Sequence, residues 1–306
     1  MTSLSIKQKA QQYVVLTGMA LFIGLLVGAI DMIFGQGLLL IGDFRSQHWP
    51  LILFLSLAGL VIVYLYKRFS GKASKGMGLI FDVGHAREEK IPLVLVPLIM
   101  LTTWMSHLFG GSVGREGVAV QIGATLSHRF ARHIKIPDAS RIFLMTGMAA
   151  GFAGLFQTPL AATFFALEVL TVGELQLIAL YPALIASIVA SFTSHALGLE
   201  KFAVPLKETL SWTPETLIKV ALLGLVFGLA GKLFAVSLSW LKKTVAQVLP
   251  NPYIRIALLG AGLSLVLLTL QLTKVGTYSG LGTNLIDVAF HQGSAQSYDW
   301  ILKLLF

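Results

Sequence analysis

The sequence predicts an all-α protein that crosses a membrane many times. Only 12% of its 306 residues are charged, and 56% are hydrophobic. The mean hydropathy is +0.80, and long apolar runs recur along the whole chain. A soluble domain carries about 25% charged residues because it needs a solvated surface. Long runs without charge are instead typical of membrane-spanning helices.

The net charge of +9 is carried by short basic clusters beside apolar runs. Such clusters predict cytoplasmic loops under the positive-inside rule. Aromatic residues do not alternate with them, as a base-stacking surface would require, so we expect no nucleic acid as a partner. The clusters are Lys7 and Lys9; Lys67, Arg68, Lys72 and Lys75; and Arg129, Arg132, Lys135 and Arg141.

Several apolar runs are too short to cross a membrane, which needs about 20 residues per helix. Short, glycine-interrupted runs predict helices that stop partway through the membrane. In transporters, such helices direct their positive N-terminal ends at an anion. The first run has no small-residue cleavage site, so it predicts a membrane helix and not a signal peptide. The runs are 14–34, 49–66, 92–109, 117–128, 142–157, 159–171, 175–197, 216–240, 253–272, 278–290 and 300–306.

The polar stretch 198–214 predicts a connector between two membrane repeats, one in residues 1–200 and one in residues 201–306. A short sequence similarity between the two parts favours this division. Gly76-Met77-Gly78 precedes an Asp-Val pair, and Gly280-Leu281-Gly282 precedes another. Weak internal similarity of this kind is typical of inverted-repeat transporters, although chance similarity in a glycine-rich sequence is the alternative.

The stretch from residue 109 to residue 123 contains five glycines and predicts an irregular turn that enters a helix. The helix should begin near Glu116, leaving free N–H groups near Gly117 and Val118 that favour an anion. The Glu116 carboxylate can occupy such a site as a tethered competitor, and protonation would vacate it. The alternative is that Arg115 and Glu116 only cap the helix at an interface.

These residues carry a resemblance to the CLC family of chloride channels and anion/proton exchangers. Gly114-Arg115-Glu116-Gly117, followed by Gln121-Ile122-Gly123, resembles the family's gating-glutamate motif. The run Ala149–Ala161, ending in Phe165-Ala166-Leu167-Glu168, is similar to its next block. The resemblance implies two inverted repeats of broken helices, a homodimer in the lipid bilayer, and Glu116 as the proton-linked gate. The residues it places at the anion are Met77, Gly78, Gly114, Arg115, Gly117 and Val118.

Three departures from the chloride-handling members resemble the fluoride/proton antiporter branch of the family. Met77 stands where those members have a serine, and Val118 where they commonly have proline. Val169 stands where chloride/proton exchangers often have an inner glutamate, and we assign Glu168 no proton role. The resemblance implies fluoride export across a bacterial inner membrane in exchange for protons. The alternatives are a chloride/proton exchanger or passive chloride channel of the same fold, and a transport-inactive partial chain.

Family members of this type continue beyond the position that matches Phe306. We therefore expect this chain to be C-terminally truncated, with its second repeat incomplete, and residues 1–306 not to carry out exchange alone. The second-half counterpart of the Glu116 segment should follow Phe306.

No enzyme, metal site or cofactor is expected. Residues 110–114 match the Gly-x-Ser-x-Gly pattern of a hydrolase nucleophile elbow, but that elbow needs a preceding strand. The run before it predicts a helix. The seven histidines include no pair with metal-ligand spacing inside an apolar run.

Overall fold

The structure, a computed structural model, describes residues 5–171, 173–201, 203, 211–272, 278–292 and 296–305. These residues form helices and no strand, which confirms the predicted all-α class. The helices are α1 (Ile6–Gln47), α2 (Leu55–Phe69), α3 (Met77–Gly84), α4 (Leu95–Leu108), α5 (Glu116–Ala131), α6 (Ala139–Phe156), α7 (Pro159–Glu168), α8 (Leu180–Ala196), α9 (Pro214–Val248), α10 (Pro252–Leu272), α11 (Thr283–Asp287) and α12 (Asp299–Leu305).

Six helical segments of the described chain are long and apolar enough to span a membrane, whereas α4, α5 and α7 have only 14, 16 and 10 residues. At 1.5 Å per residue, these three reach about 15–24 Å, less than a hydrocarbon core of about 30 Å. Partly spanning helices are therefore present, as predicted. The six spans are Ile6–Gln47, Trp49–Phe69, Ala139–Phe156, Leu177–Ala196, Pro214–Val248 and Pro252–Leu272.

Helix α1 extends beyond the predicted apolar run 14–34 at both ends. Its first turn is closed by a capping box, in which Gln8 N–H donates to the Ser5 hydroxyl and Ser5 N–H donates to the Gln8 side chain (2.9 Å). Each side chain satisfies a backbone donor that the helix start leaves open. Hydropathy alone therefore underestimates this helix.

The chain divides into two compact units. The first comprises the described residues of Met1–Ile52, Tyr64–Phe202 and Ser279–Leu281, and the second those of Leu53–Val63, Ala203–Tyr278 and Gly282–Phe306. Both units therefore combine segments from the two halves proposed above. Whether the halves 1–200 and 201–306 are repeats stays a prediction.

Helices α5 and α6 of the first unit meet along glycines. A Cβ on Gly123 would overlap the carbonyl oxygen of Gly147, and a Cβ on Gly151 would overlap that of Ala119. Only glycine permits this approach of two backbones, which is typical of helix pairs in membranes. The contact fixes α5, and hence Glu116 at its start, against α6.

In the second unit, α10 packs against the part of α2 that belongs to it. The Ser56 hydroxyl donates to the Ala257 carbonyl (2.8 Å), and Gly260 lies against the Ser56 backbone. Helix α9 buries none of its 35 residues and presents apolar side chains on all sides. Such a surface is stable in lipid or against protein, and not in water.

Candidate anion and proton site

The irregular turn predicted before Glu116 is present. Helix α4 ends at Leu108, and Gly110 adopts a φ of +85°, a conformation that favours glycine. The Gly111 N–H donates to the Ser106 carbonyl (2.7 Å), which turns the chain away from α4. Helix α5 then begins at Glu116, after the cap residue Arg115.

The first turn of α5 leaves backbone donors at its N-terminus. Its first backbone hydrogen bond runs from the Ala119 N–H to the Arg115 carbonyl (3.1 Å), and the Arg115 side chain provides no cap. The N–H groups of Glu116, Gly117 and Val118 precede that bond, and helix geometry gives them no intrahelical acceptor. Together with the helix dipole, they form an electropositive helix end.

The Glu116 carboxylate folds back toward the turn that precedes it. A Cβ on Gly114 would lie 2.7 Å from Glu116 Oε2, so any larger residue there would displace the carboxylate. The Glu116 side chain is exposed and forms no ion pair among the described residues. A negative group thus lies at the start of its own helix, and no ion pair among the described residues fixes it.

Helix α3 brings Met77 to the same place. It begins at Met77 after Gly76, whose φ of +56° turns the chain into the helix. The Met77 Cγ lies 3.6 Å from the position of a Cβ on Gly117. The structure therefore brings together Met77, Gly114, Glu116 and Gly117, four of the residues predicted from sequence.

The other three predicted residues differ in their surroundings. Gly78 is exposed and has Lys75 Cβ as its nearest neighbour, at 4.0 Å from a Cβ placed on it, whereas Val118 is buried with 7% exposure. The half-buried Arg115 guanidinium lies over the Phe156 ring at the end of α6 (5.2 Å). This cation–π contact ties the start of α5 to α6.

Gln121 is a further candidate that the sequence argument did not single out as a site residue. It is buried, its Nε2 donates to the Gly117 carbonyl (2.9 Å), and its Oε1 has no hydrogen-bond partner. That oxygen lies 3.9 Å from the position of a Cβ on Gly76. Buried amides normally satisfy their polar atoms, so an unsatisfied one beside Met77 and Gly117 marks a polar spot in the site. Gln121 lies one helical turn after Gly117, and this spacing could have marked it as a site residue from the sequence.

An exposed ion-pair network precedes the Gly76 turn. Lys75 Nζ lies 2.9 Å from Asp82 Oδ2 and 3.6 Å from Glu88 Oε1, and Lys72 Nζ lies 2.7 Å from Glu88 Oε2. The hydrogen bond from Lys75 lowers the pKa of Asp82, and that from Lys72 lowers the pKa of Glu88. The network links the segment before α3 to the loop after it.

The described residues do not support the two chemical alternatives. Helix α4, not a strand, precedes Ser112, so the geometry of a nucleophile elbow is missing. Within the described chain, no three His, Cys, Asp or Glu side chains are grouped as metal ligands would be.

Comparison with known proteins identifies the family. Residues 58–306 match the family model described as voltage gated chloride channel. The chloride/fluoride channel protein of Pseudomonas syringae pv. tomato is 33% identical over 288 residues, which cover 93% of this chain and 64% of that protein. The voltage-gated ClC-type chloride channel ClcB of Salmonella typhimurium is 30% identical over 162 residues, 53% of this chain and 35% of ClcB. The chain thus spans less than two thirds of either curated relative.

Solved structures give the same result. The crystal structure of a CLC-type fluoride/proton antiporter is similar with a TM-score of 0.91 and 44% identity, over 99% of this chain and 75% of that one. A slow cyanobacterial Cl−/H+ antiporter shares the fold, with a TM-score of 0.75 and 20% identity over 95% of this chain and 72% of its own. The family model matches most of this chain. The chain therefore belongs to the CLC family of voltage-gated chloride channels and related anion transporters.

Proposed function

We propose that the protein exchanges fluoride for protons across the bacterial inner membrane, with Glu116 as the proton-linked gate. The observation that carries the proposal is the position of the Glu116 carboxylate. It lies over Gly114, at the electropositive start of α5, and forms no ion pair among the described residues.

This position supports coupling between an anion and a proton. An ionised carboxylate is held at the helix start by the same N–H groups and dipole that would hold an anion. Protonation removes its charge and weakens that hold, so the anion can take the place. One site then accepts either the ionised glutamate or the transported anion.

Met77 supports fluoride as the anion. The thioether beside Gly117 offers no hydrogen-bond donor, whereas the serine of chloride-handling members offers a hydroxyl. The likeness to a solved fluoride/proton antiporter, at 44% identity, and to a curated relative named for both chloride and fluoride supports the same anion.

The direction of exchange follows from acid–base chemistry. Hydrofluoric acid is weak, so it crosses membranes as the neutral molecule and dissociates inside the cell. Exchange of internal fluoride for an incoming proton uses the proton gradient to expel the ion. We propose that the protein does this as a homodimer in the lipid bilayer, without a cofactor.

A flux assay tests the proposal. The protein is reconstituted into liposomes, and fluoride, chloride and internal pH are followed together. Because residues 1–306 alone are expected not to carry out exchange, we expect fluoride efflux that drives protons in the opposite direction from a chain extended to the length of the curated relative. Chloride movement at an equal rate, with or without protons, would favour the chloride exchanger or channel. Absence of any flux above that of empty liposomes would favour the transport-inactive chain.

A further inference from the structure

Asp31 is a buried carboxyl group on α1, the longest of the described helices. It lies in α1, is 0% exposed, and neither of its side-chain oxygens has a hydrogen-bond partner. Buried carboxylates are rare and are almost always paired. Inside a membrane, an ionisable side chain is a functional candidate by default.

The carboxyl lies directly on the backbone of α6. A Cβ on Gly154 would overlap Asp31 Oδ2 and would lie 3.2 Å from its Cγ. On either side of Asp31 along α1, Gly28 lies against the Ala190 backbone and Gly35 against Leu199. The group is therefore enclosed by tightly packed backbone and apolar side chains.

No basic group among the described residues neutralises it. The cations and titratable groups on the helices that pack against α1 form neither an ion pair nor a hydrogen bond with Asp31. The nearest basic residue along α1 toward its C-terminus is Arg45, about 21 Å away at 1.5 Å per residue. The groups on the facing helices are His107 of α4; Glu116, His128 and Arg129 of α5; Arg141 of α6; and Tyr181 and His195 of α8.

A metal ion does not explain the site either. Hard cations take about six or more oxygen ligands, and among the described residues Asp31 belongs to no group of candidate ligands. A lone ionised carboxylate in such surroundings is strongly disfavoured, and the group neutralises instead. The proton is the ligand that fits.

We propose that Asp31 is a proton-binding site, at which an aspartic acid is held neutral at physiological pH between α1 and α6. The proposal rests on the contact between the Asp31 carboxyl and Gly154, and it does not depend on the anion transport proposed above. It also adjoins the helix segment that supports the gate, because Gly151, one turn before Gly154, packs against Ala119 of the Glu116 helix. Loss of the proton would place a charge against this segment.

Infrared spectroscopy tests the proposal directly. Protein labelled with carbon-13 at the aspartate carboxyl carbon is measured at neutral pH, where exposed aspartates are ionised. We expect a protonated-carboxyl band of about one group per chain that shifts with the label. The band should vanish in Asp31→Asn and persist in Asp43→Asn, a change of an exposed aspartate on the same helix. Absence of a protonated aspartyl band in the labelled wild type would overturn the proposal even if Asp31→Asn failed to fold, and so would a band that survives this substitution.

Thermal unfolding in detergent gives a second readout. The native state keeps the proton while the unfolded chain loses it above about pH 4, so stability should fall as pH rises. Between about pH 5 and pH 9, the unfolding midpoint of the wild type should fall relative to that of Asp31→Asn. Parallel midpoints over this range would contradict the proposal.

Discussion

The Cγ atom of Met77 lies 3.6 Å from the position that a Cβ on Gly117 would take. Residues 40 positions apart in sequence are therefore in van der Waals reach, one at the start of α3 and one in the first turn of α5. An anion bound at the N–H groups of α5 would therefore lie near the thioether. Selectivity at the site should therefore depend on the residue at position 77.

We expect Met77→Ser to weaken the preference for fluoride over chloride. Serine is smaller than methionine, so the substitution leaves more space beside Gly117 for chloride, the larger anion, and a change of about 1 kcal/mol between the two anions corresponds to about fivefold in selectivity. Competing fluoride and chloride fluxes in liposomes measure the ratio. Met19→Ser, at a half-buried methionine of α1, is the matched control. An unchanged ratio in a folded Met77→Ser protein would remove Met77 from the anion path.

Glu116→Gln should abolish proton movement while leaving some anion flux. The amide keeps the shape of the carboxylate but cannot alternate between a charged and a neutral form. Fluoride flux and internal pH are recorded together. Glu168→Gln, an equal change at an exposed glutamate of α7, should retain coupling. Proton-driven fluoride flux in the Glu116→Gln protein would show that the gate is elsewhere.

Gly151→Ala should destabilise the protein, because the added methyl group overlaps the Ala119 carbonyl across the α5–α6 contact. Overpacking of this kind costs about 1–3 kcal/mol. Gly18→Ala is the control, since a Cβ there meets nothing within 4 Å, and alanine in a helix interior is favoured over glycine by up to about 1 kcal/mol. Thermal unfolding in detergent compares the two. Equal midpoints would mean that α5 and α6 are not in backbone contact.

Lys75→Met should lower stability near neutral pH and have no effect in acid. The hydrogen bond from Lys75 lowers the pKa of Asp82 below its ordinary value of 3.8, so the native state binds fewer protons than the unfolded chain near that pH. The stabilisation is present above this value and is lost as pH falls through the lowered pKa. Unfolding midpoints measured from about pH 7 down to about pH 2 give the comparison, and the difference should shrink as pH falls through the lowered pKa. Lys9→Met, at an exposed lysine of α1, controls for net charge, and a difference that persists in acid would contradict the ion-pair origin.

The sequence was sufficient to predict the fold class and the start of α5, because apolar runs and clustered glycines act locally. The close contact of α5 and α6 was not predicted, since it depends on which glycines face each other. Its available signal was the spacing of Gly147 and Gly151, four residues apart as in membrane helix pairs.

Asp31 was missed for a different reason. A carboxylate within the apolar run 14–34 is itself a signal. A hydropathy average over the run hides a single acidic residue. The absence of a hydrogen-bond partner for its carboxyl can be seen only in the structure, where α6 packs against it. Conversely, the proximity of Met77 to Gly117 could be expected only from the family resemblance, because nothing local links α3 to α5.

The interlocked glycines of α5 and α6 restrict how a gate at Glu116 can move. A slide or rotation of α5 would drive the carbonyl oxygens of Ala119 and Gly147 into the facing backbone. The remaining freedom is that of the Glu116 side chain, a few single bonds that change rotamer in picoseconds to nanoseconds, whereas collective helix shifts take microseconds or longer. A gate at Glu116 would then open by rotation of its side chain alone, without a collective shift of α5.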